Sequence, residues 1–444
     1  MTNFGVSRDL IDDTIFGKIV PGVGLTLVVG NIYYSWQAVR LTTLHGRQYT
    51  AQPYGLNTVG IFAFIFNIIY PVYFTSVDAV GPSEAFLTAY KVAIAANFIT
   101  GLLSVVFGII GPTLLRMIPP AALLVPIAGI GFSFLGLEQL TTTLAAPLVG
   151  YLAIMWVYLG WYAGVKIGWG KFRIPEAVTV ILVGVVMGWI TGLNDASAVR
   201  SASKLVKWSA PVWSGDDLFA GTLSTAHSNP CSSSLSFSRC LVSAKEAGDP
   251  YPVRETMIID GIGTCIASFF GSPFGTVIYV GHPAHKRSGA TVGYSFYNGF
   301  LYLIFCLTGI LALIQSIVNQ ATVGPIVFFV GLMINEEALN FMPSRHYSAY
   351  IIGLFPSIYD WLVNVSNRSP LEGFARDGSY EGSWNTELPP GSSGFIGVLS
   401  WKRGSLLVSM VWVAMIVMVL DRKWNMAILW AIIGSLFALF GIIH

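Results

Sequence analysis

The tripeptide Pro53-Tyr54-Gly55, leading into Leu56-Asn57-Thr58 and an apolar run, is echoed in the other half of the chain by Pro273-Phe274-Gly275, leading into Thr276-Val277-Ile278. Proline removes a backbone donor and glycine loosens the backbone, so each tripeptide interrupts a helix. Backbone freed at membrane depth is tolerated only where protein or a polar cavity surrounds it. Interruptions at corresponding places therefore predict two broken membrane helices, with half-helices starting at Pro53 and Pro273. Their N-terminal ends carry unpaired N–H groups and partial positive charge, which suits a polar or anionic solute.

Hydrophobic residues make up 54 % of the 444 and charged residues 10 %, with a mean hydropathy of +0.67. A soluble domain carries about 25 % charged residues. The chain is accordingly read as an integral, multi-pass protein of a lipid bilayer, with the plasma membrane as its expected location. About eleven or twelve apolar windows are long enough to cross a hydrocarbon core about 30 Å thick. A net charge of +2 without a basic arm argues against nucleic acid as a partner. Cys231, Cys240, Cys265 and Cys306 have neither metal-ligand spacing nor a disulfide framework. No P-loop, His-Glu-x-x-His or Gly-x-Ser-x-Gly pattern is present, so no enzyme, cofactor or metal is expected. The N-terminus, with Asp12 and Asp13 and no basic run, does not read as a cleaved signal peptide.

The apolar windows divide the chain into a first repeat, 1–193, and a second, 254–444, separated by a polar, irregular segment, 194–253. A second polar insert spans 366–402. The Lys166, Lys171, Arg173 loop and the Arg239, Lys245, Arg254 segment are both basic although one helix separates them, so a helix belonging between them is expected to be lost or replaced. Val125-Pro126-Ile127 and Gly324-Pro325-Ile326 open matching apolar helices in the two halves. Such ordering is the trace an inverted-repeat transporter leaves in its sequence. Asp421-Arg422-Lys423 is read as a tight turn between the last two helices.

These residues resemble the nucleobase permease superfamily of azaguanine, xanthine and uracil permeases. Thr50 to Thr58 is similar to the stretch opening the family's third helix, and Gly271 to Pro283 to the tenth-helix segment of an uncharacterised branch. The resemblance implies an all-α membrane protein with a seven-plus-seven inverted-repeat transporter fold, uracil permease-like, divided into core and gate domains. Relative to that pattern the chain is expected to lack the first and eighth helices. Val242 stands where relatives carry a carboxylate. The implied activity is transport of nucleobases (purine, xanthine or uracil) by alternating access, as a symporter with H+ or Na+ as the coupling ion. A homodimer is left open. The alternatives are an anion transporter of the same fold, for sulfate or bicarbonate, and a transport-dead membrane fragment.

The candidate substrate-binding residues are Tyr54, Gly55, Asn57, Thr58, Phe274, Gly275 and Thr276. Asn57 and Thr58 offer an amide and a hydroxyl to a heterocycle edge, or simply cap a helix. Tyr54 and Phe274 offer rings for stacking, or packing. His282 and Asp260 are the candidates for proton coupling. Glu138, Glu336, Glu337 and Asp360 are the other carboxylates within apolar surroundings.

Overall fold

The computed structural model describes residues 5–114, 118–165, 168–169, 172–174, 176–222, 249, 251–278, 282–287, 289–368, 398, 401, 404–440 and 443. Cys231, Cys240, Val242 and most of the 366–402 insert lie outside the described residues. In chain order the helices before the midpoint are α1 (Arg8–His45), α2 (58–80), α3 (Pro82–Leu114), α4 (Pro120–Leu144), α5 (Pro147–Tyr162), α6 (Glu176–Ile190), α7 (Ala196–Ser203) and α8 (Gly215–Thr222). The later ones are α9 (Val253–Phe269), α10 (His282–Arg287), α11 (Gly293–Thr308), α12 (Ile310–Ile317), α13 (Gln320–Asn340), α14 (Tyr347–Arg368), α15 (Ser405–Leu420) and α16 (Trp424–Leu439). Strand β1 (Tyr54–Leu56) precedes α2, β2 (Gly168–Trp169) and β3 (Phe172–Arg173) form a small hairpin, and β4 (Thr276–Ile278) precedes α10.

Among the described residues four helices are long and apolar enough to cross a membrane, or five if α11 and α12, bent by 89°, count as one span. The sequence count of eleven or twelve refers to apolar windows along the whole chain, and the four or five to long helices among the described residues. Most of the remaining apolar helices are only 10 to 17 residues long, and at 1.5 Å per residue they fall short of a full crossing. The second half-helix starts later than expected. Residues from Pro273 form a loop and then β4 rather than a helix, because Thr276-Val277-Ile278 is β-branched throughout and takes a strand partner. The polar segment after residue 193, expected to be irregular, contains α7 and α8. Asp195 caps α7 by accepting from the Ser197 N–H at 2.8 Å. Asp217 of α8 holds Lys18 of α1 at 3.0 Å.

The chain forms two compact units, each drawn from both halves of the sequence. The first combines Met1–Leu114 with Asn194–Ile317. Within it the helix before each break packs on the second helix after the other: α9 lies along α3, and α1 along α11. Small residues permit both approaches. A Cβ at Gly261 would stand 2.7 Å from the Gly101 carbonyl oxygen, and one at Gly24 2.6 Å from Cys306 Cβ. Strands β1 and β4 pair antiparallel, with Tyr54 opposite Ile278, Gly55 opposite Val277 and Leu56 opposite Thr276. Crossed packing and antiparallel pairing are what an inverted repeat produces.

The second unit combines Leu115–Leu193 with Val318–His444. It holds the other repeated pair, Pro126 inside α4 and Pro325 inside α13. These two helices meet closely, since a Cβ at Gly331 would come within 2.6 Å of the Gly131 carbonyl oxygen. Trp161 of α5 stacks on Phe329 of α13 with ring centres 4.4 Å apart. The Asp421-Arg422-Lys423 turn closes as read, with Lys423 N–H donating to the Met418 carbonyl at 2.8 Å and Arg422 in the left-handed region.

Candidate functional site

The two breaks come together in the first unit. Beyond the β1–β4 ladder, the Asn57 N–H donates to the Gly275 carbonyl at 2.9 Å. Asn57 is the N-cap of α2, and its Oδ1 accepts from the Gly60 N–H at 2.9 Å. The amide oxygen is therefore engaged in capping, and the positive end of α2 lies next to the paired strands. Thr58 is the first residue of α2, and its side chain lies outside the description.

Tyr54 and Thr276 join hydroxyls across the strands at 2.6 Å, both side chains being buried. The Tyr54 ring is wedged against α1: a Cβ at Gly30 would overlap it at 1.9 Å, and the Tyr34 ring centre lies 5.2 Å away. This explains Gly30. Phe274 packs against the apolar cluster of Phe64, Ile68, Val92, Ala93 and Ala96. In this arrangement both aromatic rings are spent on protein contacts. Gly55 lies in the ladder opposite Val277, and Gly275 sits just before β4.

Asp260, on α9, is buried and serves β4 directly. Its Oδ2 accepts the Ile278 N–H at 3.0 Å, and its Oδ1 accepts the Tyr34 hydroxyl from α1. One carboxylate thus ties the second strand to the helix before the first break. A burial of this kind is tolerated only when the oxygens are satisfied, and here both are. Thr264, one turn along α9, donates to the Thr276 carbonyl at 3.3 Å and accepts its N–H at 3.4 Å. Asn31 of α1 donates to the Tyr54 carbonyl at 3.3 Å and accepts the Ser295 hydroxyl at 2.8 Å.

His282, the first residue of α10, is fully buried. Its Nε2 lies 3.1 Å from the Thr50 carbonyl and 3.4 Å from Asp249 Oδ2. Both neighbours accept only, so Nε2 carries the proton. Asp249, also fully buried, receives the Thr50 N–H at 3.1 Å and the Lys286 ammonium at 2.5 Å. Tyr251 donates its hydroxyl to the Thr50 carbonyl at 2.5 Å. The result is a knot binding the segment before the first break to the helix after the second.

Sequence reading placed Tyr54, Gly55, Asn57, Thr58, Phe274, Gly275, Thr276, Asp260 and His282 among its candidates, and the fold gathers all of them into the first unit. It missed Asn31, Tyr34, Asn97, Asp249 and Thr264. The i, i+4 spacing of Asp260 and Thr264 on one helix face was a readable signal; Asn31 and Asn97 are isolated polar residues in apolar helices and could have been marked on that ground. Of the other carboxylates, Glu138 accepts the Trp361 indole N–H at 2.8 Å. Asp360 accepts from Asn364 at 2.9 Å and Ser405 at 3.2 Å. Both belong to the second unit. Among the described residues no group of His, Cys, Asp or Glu is arranged to hold a metal ion.

No family model matches the chain, and no curated protein does. Among solved structures the chain is similar to the transmembrane domain of a cyanobacterium bicarbonate transporter, BicA. The match has 17 % identity and a TM-score of 0.45, over 81 % of this chain and 98 % of that one.

Proposed function

We propose that the chain is a multi-pass permease that carries a small polar solute across a membrane by alternating access, binding it where the two breaks meet. The observation carrying this reading is the antiparallel union of Tyr54–Leu56 with Thr276–Ile278 beside the capped end of α2. Irregular backbone of this kind in an apolar chain has its physical use in contacting a solute that cannot dissolve in lipid. Both breaks belong to one unit, so a solute held there travels with that unit.

Two solute classes fit. A planar heterocycle of the nucleobase kind matches the mixture of amide and hydroxyl groups contributed by Asn57, Thr276 and their neighbours. A small oxyanion of the bicarbonate kind is favoured by the positive end of α2. Asp260 is the better of the two candidate proton carriers, because it alone touches both β4 and α1; His282 is committed to the Thr50 and Asp249 knot. Sodium is the competing coupling ion, and the plasma membrane is the proposed site of action.

The test is uptake of radiolabelled uracil, xanthine and bicarbonate by the full chain in proteoliposomes, with imposed proton or sodium gradients. Saturable uptake of one class, suppressed by its own unlabelled solute, is expected. Absence of uptake of all three under every gradient contradicts the reading.

A further inference from the structure

Asn97 of α3 is fully buried, and its neighbours fix which way its amide points. Nδ2 donates to Ser268 Oγ at 3.0 Å and to the Ser272 carbonyl at 3.2 Å. Ser268 gives its own proton to the Thr264 carbonyl at 3.0 Å, and a carbonyl can only accept, so both contacts require the nitrogen. Both amide hydrogens are thereby used. Oδ1 faces the other way and meets no donor among the described residues.

In front of that oxygen is Gly275. A Cβ there would stand 3.2 Å from Asn97 Oδ1 and 3.4 Å from Thr264 Oγ1. Gly275 is not one of the positive-φ glycines, so the backbone does not demand glycine at this position. What the missing side chain does is keep the face of Asn97 Oδ1 clear. Thr264 is already engaged with the Thr276 carbonyl and N–H and does not serve Oδ1. The Gly275 carbonyl, in turn, receives the Asn57 N–H, so the bare oxygen looks onto the point where the two breaks are joined.

We infer that Asn97 Oδ1 is a solute-binding group, a fixed acceptor for an N–H or O–H of the cargo, and that Gly275 lacks a side chain to admit it. This rests on the permease reading and narrows it. The cargo must itself donate a hydrogen bond, as uracil and bicarbonate do and sulfate does not. A buried acceptor facing sulfate would repel it and remain unsatisfied.

The experiment compares the purified full chain with Gly275→Ala and Gly275→Ser, reading thermal unfolding with uracil, bicarbonate or sulfate and uptake in proteoliposomes. Uracil or bicarbonate is expected to raise the melting temperature of the unaltered chain and to be taken up, and sulfate to do neither. Gly275→Ala is expected to stay folded and to lose uptake by about tenfold or more. Gly275→Ser is expected to be equally inactive yet to melt above Gly275→Ala, because its hydroxyl supplies the donor that Asn97 Oδ1 otherwise takes from cargo. Undiminished uptake by Gly275→Ala, a serine variant no more stable than the alanine one, or a sulfate effect equal to the others overturns the assignment of Asn97 and leaves the permease reading standing. An unaltered chain that neither binds nor takes up any of the three overturns both.

Discussion

The first break and the second begin with the same kind of tripeptide and are completed by different means. After β1 the chain caps itself: Asn57 supplies the oxygen for Gly60, and α2 runs on to residue 80. After β4 the next described helix is His282–Arg287. Its supports come from afar, since Asp260 holds the strand and Asp249 holds His282 and Lys286. The lesson is that one half of the repeat is written locally and the other depends on tertiary contacts. A substitution that acts locally is therefore expected to cost little at the first break, and one that removes a distant support to cost much at the second.

The largest effect is expected for Asp260→Ala, which strands the buried Ile278 N–H and leaves the buried Tyr34 hydroxyl only its 3.4 Å contact with the Thr256 carbonyl. A loss of about 3–5 kcal/mol is expected in the thermal or denaturant unfolding of the detergent-purified chain. A loss under about 1 kcal/mol would show that β4 does not depend on this support. Asp249→Ala comes next, at about 2–4 kcal/mol, because Lys286 is partly exposed and recovers some hydration while His282 and the Thr50 N–H do not. Equal effects of this change in the presence and absence of high salt would fit a buried knot; strong salt dependence would mark a surface pair.

Asn57→Ala tests the local side of the comparison. Loss of a single cap is expected to cost about 1 kcal/mol, with Asn57→Asp close to neutral because it keeps the accepting oxygen. A cost as large as that of Asp260→Ala would abolish the contrast between the breaks.

The smallest effect belongs to the turn after α15, a locally written feature of the second unit. The His346 hydrogen bond, and after it the charges of His346, Arg345 and Lys423, hold the Asp421 carboxyl below the usual carboxylate range despite some burial acting the other way. A carboxylate whose folded-state pKa is depressed contributes stability that is present above its unfolded value, about 3.9, and is lost as the pH falls through the folded value. Asp421→Asn is expected to flatten the acid limb of the stability curve below about pH 4. An acid limb as steep as that of the unaltered chain would contradict that assignment.

The same division explains what could be read from the sequence. The breaks were legible because proline and glycine act on their own backbone, and the apolar helices because hydropathy is a property of a window. Windows centred near 92–110, 148–165, 177–193 and 406–420 correspond to α3, α5, α6 and α15. The strand at Thr276–Ile278 was not legible: a short β-branched run next to a break takes its conformation from the partner strand, which lies more than two hundred residues away. Thr276 therefore belongs to a ladder and not to a half-helix. A division into two domains was implied by the family resemblance, but which segments compose each unit escaped the linear reading, since each unit interleaves segments of both halves. Asn97 escaped for a related reason. It sits in an unremarkable apolar helix and acquires its orientation only from Ser268 and Ser272.

The most direct test of the central claim, that both breaks meet as one antiparallel pair, is a disulfide between Gly55→Cys and Val277→Cys in a chain whose native cysteines are replaced by serine. Residues directly opposite in such a ladder have Cα atoms about 4.5–5.5 Å apart, within disulfide reach. With a protease site introduced between residues 230 and 231, oxidised protein in membranes is expected to stay joined after cleavage until it is reduced. Two separate fragments under non-reducing conditions would contradict the meeting of the breaks and, with it, the site proposed to lie there.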